Sequence, residues 1–312
     1  MEHYVTLFDS AFLPQALALH ASMQRHVPQY KLWMLCVDDE AGDVLEQLDL
    51  VNVALLRLSA LETNSLLEVK SKRSRGEYCW TLTPYAPRFV FESDVSVRRV
   101  TYVDADLSFR KNPKPLFDEF DASGAAVFIT DHGYAPEYDQ SATSGQYCVQ
   151  FMTFERDRGE SVRRWWQDRC TEWCYARFED GKFGDQKYLD DWPTRFDGLV
   201  HVLRAQELAQ APWNATRFPH SAGVFFHFHG LRIAAGRRFD LGPLYPLPKT
   251  ALQYVYRPYL DDLRQAIHTL ECHGFAARPQ SQALNWPRLL RRAASGVYQQ
   301  LWRFHQLNFR KY

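Results

Sequence analysis

The 312-residue chain lacks several features, and each absence removes a class of function. It lacks net charge, with Lys plus Arg and Asp plus Glu both at 37. Proteins that bind polyanions carry a basic excess, so no nucleic acid is expected as the main partner. It lacks any apolar run of the ~20 residues needed to cross a bilayer. The opening MEHYVTLFDS has no basic start and no long apolar stretch, so no secretory leader is read there. It also lacks a metal-type cysteine pattern. Cys36, Cys79, Cys148, Cys170, Cys174 and Cys272 are scattered. Cys170 and Cys174 lie four apart on an expected helix, but no second close pair completes a zinc site, so buried free thiols are expected. These features describe a soluble, reduced, cytoplasmic protein.

What is present is an alternation of strands and helices. The segments 4–8, 31–37, 53–58, 99–106, 125–132, 147–156 and 224–233 read as strands from their short apolar, β-branched runs. Helical spacing covers 13–26, and an acidic start suits a helix after residue 38. A helix is expected within 78–92, a Pro-started one over 112–120, a long amphipathic one over 160–178 and another starting in 184–192. Strands alternating with helices predict an α/β fold, a mostly parallel sheet covered on both faces. The alternation stops near 245. Residues 1–245 therefore read as one domain and 246–312 as a helical C-terminal extension. Aromatic residues make up 15% of the chain and serve either the core or a site for flat, amphipathic ligands such as sugars.

The stretch RVTYVDADLSF ends a strand in two carboxylates, Asp104 and Asp106. They converge if the strand continues and diverge if it turns. Both alternatives put them at the carboxyl end of a parallel strand, where open α/β sheets bind ligands. Paired carboxylates repel, and one stays protonated unless a cation is present. A hard divalent ion, Mg²⁺ or Mn²⁺, resolves that conflict and bridges carboxylate to diphosphate. The competing reading is a solvated acidic turn.

Four stretches in this order resemble the GT-A nucleotide-sugar glycosyltransferases, in particular retaining glycosyltransferase family 8: YVTLFDSAFLPQALALHASM, VTYVDADLSF, GDQKYLDDW and VFFHFHG. They span residues 4 to 230. The segments EYCWTLTP, WCYARFEDGKFGDQKYLDDWP, APWN and FHFHGL also resemble bacterial nucleotide-diphospho-sugar transferases encoded among surface-polysaccharide genes. The resemblance implies a GT-A (Rossmann-like) fold and a metal held by Asp104, Asp106 and His227, with His229 as the fallback ligand. It implies donor contacts from Thr6, Asp9, Ala105, Gly230 and Arg232. Family 8 enzymes carry a lysine at the position of Ile233, and Arg232 is the nearest cation. Gln186 and Asp185 would lie under the anomeric carbon, and a glutamine carbonyl there stabilises developing oxocarbenium charge rather than forming a glycosyl-enzyme. Asp185 also suits a helix N-cap. Asp131, Trp213, Asn214 and His229 are candidates for sugar or acceptor contact. So is Gln150, which stands near Cys148 where the family has an asparagine.

The implied activity is metal-dependent transfer of a hexose from a UDP-linked sugar to a bacterial surface glycan, such as lipopolysaccharide, or to a lipid-linked acceptor, with retention of configuration. A nucleotide-sugar hydrolase, a nucleotidyltransferase and a degenerate, non-catalytic glycan-binding domain are the alternatives. In 286–312, Arg288, Arg291, Arg292, Arg303, Arg310 and Lys311 interleave with Trp286, Leu289, Leu290, Leu301, Trp302 and Phe304. Such a helix lies on an anionic membrane, here the inner face of the cytoplasmic membrane, or packs on the domain.

Overall fold

A computed structural model describes residues 1–234, 238–242 and 245–280. The basic, aromatic segment 286–312 lies outside the described residues. The main sheet is built from β1 (Glu2–Phe8), β2 (Tyr30–Cys36), β3 (Val53–Arg57), β4 (Arg99–Val103), β6 (Val127–Asp131), β7 (Tyr147–Glu155) and β8 (Val200–Val202). Its order is β3-β2-β1-β4-β7-β6-β8. Only β7 runs against its neighbours, so the sheet is mostly parallel, as expected. A small second sheet joins β5 (Leu107–Phe109) to β10 (Phe225–His227) and β9 (Ala209–Gln210). The hairpin of β11 (Arg232–Ala234) and β12 (Arg238–Asp240) follows.

Strand periodicity explains the layering. Successive side chains face opposite sides of a sheet. In β1 and β2, Tyr4, Phe8, Leu32, Met34 and Cys36 enter one core cluster, while Val5, Leu7, Trp33 and Leu35 enter the other. Helix α1 (Leu13–His26) supplies Ala16, Leu19 and Met23 to the first layer. Helices α2 (Asp39–Leu48), α3 (Asn64–Lys70), α4 (Arg75–Leu82) and α5 (Tyr85–Ser93) follow, with α6 (Lys114–Ser123) after β5. Of these, α4 and α5 give Tyr78, Leu82, Phe89 and Val90 to the second layer.

Several expected boundaries shift for local reasons. The helix expected in 78–92 is two helices, because Pro84 lacks an N–H and starts a new one. Ser74 and Glu77 close a capping box at the start of α4. The helix expected over 160–178 stops at Glu172. Beyond it the chain turns back at Asp180 and Gly181, both at positive φ, between the bridged residues Glu179 and Lys182. The helix expected from 184 is a 3-10 turn, Lys187–Asp191, followed by a single α turn, Trp192–Arg195. The strand expected over 224–233 breaks at Gly230, which takes a φ of 79° between β10 and β11.

The chain after 245 is not peripheral to the core. The helix Arg257–Cys272 lays Tyr259, Leu260, Leu263 and Ile267 against Ala18 of α1 and against Phe226 and Phe228. Phe228 stacks on Tyr259 with ring centres 3.6 Å apart. Gln280 then ties the segment to the sheet. It accepts from the side-chain amide of Gln15 and the Ile233 backbone N–H, and donates to the Ala11 carbonyl. All six cysteines are free. No described helix is long and apolar enough to cross a membrane.

Leu263 is fully buried in this shared cluster. Leu263→Ala is expected to lower unfolding free energy by about 2–5 kcal/mol, through lost burial and the cavity left behind. Urea unfolding should show one transition, and a separate early step for the C-terminal helix would contradict the shared core.

Candidate functional site

A cleft of about 580 Å³ opens where β1 and β4 end. Its walls come from the ends of these strands, from α4, from 183–186, from the segment around 132–148 and from Trp213, His227, His229, Arg232 and Tyr245. Asp9 follows β1, and Asp104 follows β4. Carboxyl ends of parallel strands are where α/β sheets leave room for ligands.

The centre of the cleft is a cluster of Asp104, Asp106 and His227, whose ligand-type atoms all lie within 4.8 Å of one another. Strand β4 stops at Val103, and the Leu107 N–H donates to the Asp104 carbonyl to close a turn. That turn neither continues the strand nor splays the two carboxylates. It folds both around one point. The antiparallel pairing of β5 with β10 sets His227 opposite Leu107, and the Phe228 N–H donates to the Asp106 carbonyl. His227 Nε2 therefore sits 3.1 Å from an Asp106 oxygen and 3.5 Å from an Asp104 oxygen. Its Nδ1 is 3.0 Å from Gln150 Oε1, an acceptor, so Nδ1 carries a proton and Nε2 is the ring atom that faces the carboxylates. Tyr102 donates its hydroxyl to Asp104 at 2.8 Å.

This donor set suits a divalent ion. Adjacent ligands of an octahedral ion with bonds of about 2.1 Å stand about 3 Å apart, close to the spacing seen here. Two hard oxygens and an imidazole match Mg²⁺ or Mn²⁺. The electrostatics agree. Burial by itself would lower the His227 pKa, but the charge and hydrogen bond of Asp106, with Cys148 and Asp104, raise it well above its usual value. Burial raises the pKa of Asp104, and the charge of Asp106 adds to this. Asp106 is held low against its burial by His227. A shared proton thus takes the place that a cation would fill.

Asp185 and Gln186 line the cleft beside this cluster. Gly184 precedes them at a φ of 53°, and a Cβ there would meet the Trp80 ring at 3.4 Å. Trp166 fixes the backbone by donating to the Asp185 carbonyl at 2.8 Å. The Asp185 carboxylate is 3% exposed, and its Oδ2 has no partner among the described residues. Burial, then the charge of Asp104, pushes its pKa up to about 7. Gln186 donates its amide to the Ser144 carbonyl at 2.7 Å, which fixes the orientation of its side chain.

The other expected residues divide. Asp9, Ala105, Arg232, Trp213 and His229 line the cleft. Asp9 caps the turn Ser10–Phe12 and pairs with Arg75 at 2.5 Å. Arg232 lies over the Phe12 ring, 5.4 Å from its centre. His229 is 5.6 Å from His227, ring to ring, and outside the three-residue cluster.

Five residues are placed differently from the expectation. Thr6 is fully buried in the middle of β1 and off the cleft wall. Gly230 is also off the wall, and its positive φ serves the turn beside Gly242. Asn214 is fully buried, and its amide is spent on Ala211 N and on the carbonyls of His132 and Ala209. Asp131 closes its own loop by accepting from Gly133 N and from Gln146. Gln150 is fully buried behind His227 and orients that ring instead of meeting a sugar.

Residue-by-residue reading missed Arg75, Trp80, His132, Tyr134 and Tyr245, all on the cleft wall. Arg75 opens α4 just after the capping-box serine, a signal present in SRGE. The aromatic residues carry no local signal, because a core ring and a wall ring look alike in sequence.

No protein-family model matches the chain. It is 28% identical over 304 residues, 89% of this chain and 99% of the relative, to the Bacillus subtilis (strain 168) uncharacterized protein YfnF. It is 27% identical over 289 residues, 86% of this chain and 91% of the relative, to YfnD of the same organism. Among solved structures, an active-site glutamine-to-glutamate mutant of LgtC superposes with a TM-score of 0.53 at 12% identity, over 92% of this chain and 99% of that one. Galactosyltransferase LgtC with donor and acceptor sugar analogs gives 0.50 at 14% identity, over 84% and 95%. The glycosyltransferase GlyE of Streptococcus pneumoniae TIGR4 gives 0.50 at 17% identity, over 91% of this chain and 66% of that one. The chain has the GT-A fold.

Asp185 yields a pH prediction. Its proton leaves near pH 3.8 in the unfolded chain and near 7 in the fold. The folded state binds more protons between those values, so stability falls as pH rises from 3.8 to 7 and is flat above. Asp185→Asn is expected to remove this loss, gaining on the order of 1–4 kcal/mol over the parent at pH 8 and little at pH 4. Metal-free urea unfolding across pH measures it, and parallel curves for the two proteins would refute it.

Proposed function

We propose that the chain is a metal-dependent glycosyltransferase that moves a hexose from a nucleotide sugar, UDP-linked, to a glycan or lipid-linked acceptor on a bacterial surface polysaccharide. The observation that carries this reading is the convergence of Asp104, Asp106 and His227 in the middle of a ligand-sized cleft. The GT-A fold supports it, since LgtC, with that fold, has been solved with donor and acceptor sugar analogs.

In this reading Asp104, Asp106 and His227 would hold Mn²⁺ or Mg²⁺ beside the diphosphate of the donor. Bound there, the ion supplies charge neutralisation for the leaving nucleoside diphosphate. Arg232 stands near this cluster and holds phosphate charge. Ala105, between the two aspartates on the wall, meets the nucleoside with a small side chain. Asp9, fixed by Arg75, recognises the ribose or base.

The unpartnered Oδ2 of Asp185 accepts a hydroxyl of the donor sugar, which satisfies a buried oxygen otherwise costly to leave alone. The Gln186 carbonyl dipole then faces the anomeric carbon and stabilises positive charge as the bond to phosphate lengthens. An amide there forms no stable glycosyl-enzyme, and in this reading the acceptor attacks from the face the diphosphate leaves, with retention. The departing diphosphate takes the acceptor proton. That proton transfer needs no dedicated base from the chain.

The test is calorimetric titration of UDP-hexoses with and without Mn²⁺. UDP-sugar affinity is expected to rise at least about tenfold with the ion, and Asp106→Asn or His227→Ala should abolish the gain while the protein stays folded. Equal binding with and without metal would sink the proposal. Sugar release without acceptor at the transfer rate would instead favour a hydrolase.

A further inference from the structure

A second cavity lies at the end of the main sheet opposite the cleft. It holds about 450 Å³ and opens where β1 and β4 begin and β7 ends. Arg98, Arg99, Arg156 and Arg158 line it against two carboxylates, Glu155 and Asp157, with His3 of β1 beside them. The proposed transfer chemistry uses none of these residues. We infer that this cavity is a separate ligand site that takes a small phosphate monoester with a hydroxyl-bearing body. Arg98, Arg156 and His3 meet the phosphate, and Asp157 accepts a hydroxyl. The inference is independent of the transferase reading above.

Three observations carry it. First, the cavity holds positive charge that the fold does not consume. Arg98 is exposed, and its side chain has no partner among the described residues. Arg156 donates to the carbonyls of Val97, Phe91 and Asp94 at 2.7, 2.9 and 2.5 Å, which caps the end of α5. A guanidinium has five N–H donors, so two of those on Arg156 stay open. The nearby Asp94 carboxylate accepts from Ser96 N and Oγ instead. Arg99 and Arg158 differ. Arg99 is held by Glu2 and Asp121, both off this wall, and Arg158 by Glu155.

Second, His3 is a fixed donor. Trp33 Nε1 donates to His3 Nδ1 at 3.1 Å, so Nδ1 keeps the lone pair and the ring proton is on Nε2. The two rings stack at 6.3 Å, which sets the plane of the imidazole. Burial lowers the His3 pKa and outweighs the charge of Asp94, which raises it. The wall thus offers N–H donors from the start of β1, the start of β4 and the end of β7. A tetrahedral phosphate accepts from several donors at once, and a guanidinium meets it with two parallel bonds.

Third, the cavity limits what its ligand carries besides the phosphate. Asp157 is exposed and has no side-chain partner among the described residues. A second anionic group would meet this carboxylate at a cost, whereas a neutral hydroxyl donates to it. The volume is that of a small-molecule pocket. The site is also distinct from the cleft. β1 runs from His3 in this cavity to Phe8 in the cleft wall, roughly 17 Å at about 3.3 Å per residue. No small ligand reaches both.

The test is NMR on the isotope-labelled full chain, with no divalent ion added, so that the Asp104–Asp106–His227 centre does not recruit phosphate. The probes are glycerol 3-phosphate, glucose 1-phosphate and citrate. At least one of the phosphate esters should shift the His3 ring signals and the Arg98 Nε–H signal in a saturable way. Arg98 is exposed and unpartnered, so its variants should fold as the parent does. Arg98→Ala should weaken the ester about fivefold or more, and Arg98→Glu should abolish the shift at His3. Arg232→Ala should bind the ester like the parent, and Arg98→Glu should bind UDP with Mn²⁺ like the parent. Three results would overturn the inference: no shift at His3 with either ester, an unchanged affinity in Arg98→Glu, or loss of the ester in Arg232→Ala, which would place it in the cleft. Citrate bound as tightly as the esters would overturn the assignment to a phosphate monoester.

Discussion

The pairing of β5 with β10 is the constraint on which the site depends. β5 directly continues the turn that carries Asp104 and Asp106, and β10 ends in His227. Their antiparallel register fixes which residue of β10 stands opposite Leu107. A slip of one residue would turn His227 away and present Phe226 or Phe228 instead, because strand side chains alternate. Both phenylalanines are anchored on the other side, against Tyr256 of the C-terminal segment. The hydrophobic face of β10 therefore holds the register that its polar face requires.

That arrangement places three ionisable groups in a largely buried position, which is costly unless each is satisfied. The fold satisfies them with neutral partners. Gln150 takes the Nδ1 proton of His227, and Tyr102 gives a hydroxyl to Asp104. What remains unsatisfied is informative. The Asp185 Oδ2 has no partner among the described residues, and Asp185 borders the cleft. A buried polar atom left open beside a cavity fits a ligand hydroxyl better than it fits the apo protein.

The C-terminal helix contributes through the same β10 strand. It does not line the cleft, yet its tyrosines back the phenylalanines that flank His227. Gln280, further along, clamps the start of α1 to β11, the strand that bears Arg232. Two elements that meet the proposed donor are thereby joined by a segment remote from them in sequence.

The sequence by itself determined the layered α/β class, because β-branched runs and helical spacing are local properties that hydrophobic burial acts on directly. It also marked Asp104 and Asp106, since carboxylates at a strand end are visible in a few residues, whereas His227 was marked only by the likeness of VFFHFHG to the GT-A transferases, because a histidine between two phenylalanines suits a core equally well. Asp180-Gly181 and Pro84 carried turn and break signals that local reading passed over. The roles of Gln150, Asn214 and Thr6 were not legible, because facing a cleft or a core depends on which strands become neighbours. The place of His132, Tyr134 and Tyr245 on the cleft wall was equally hidden. They come from separate loops, and only the tertiary structure, by crossing those loops over the end of the sheet, decided that aromatic side chains suited to any core would border a cavity.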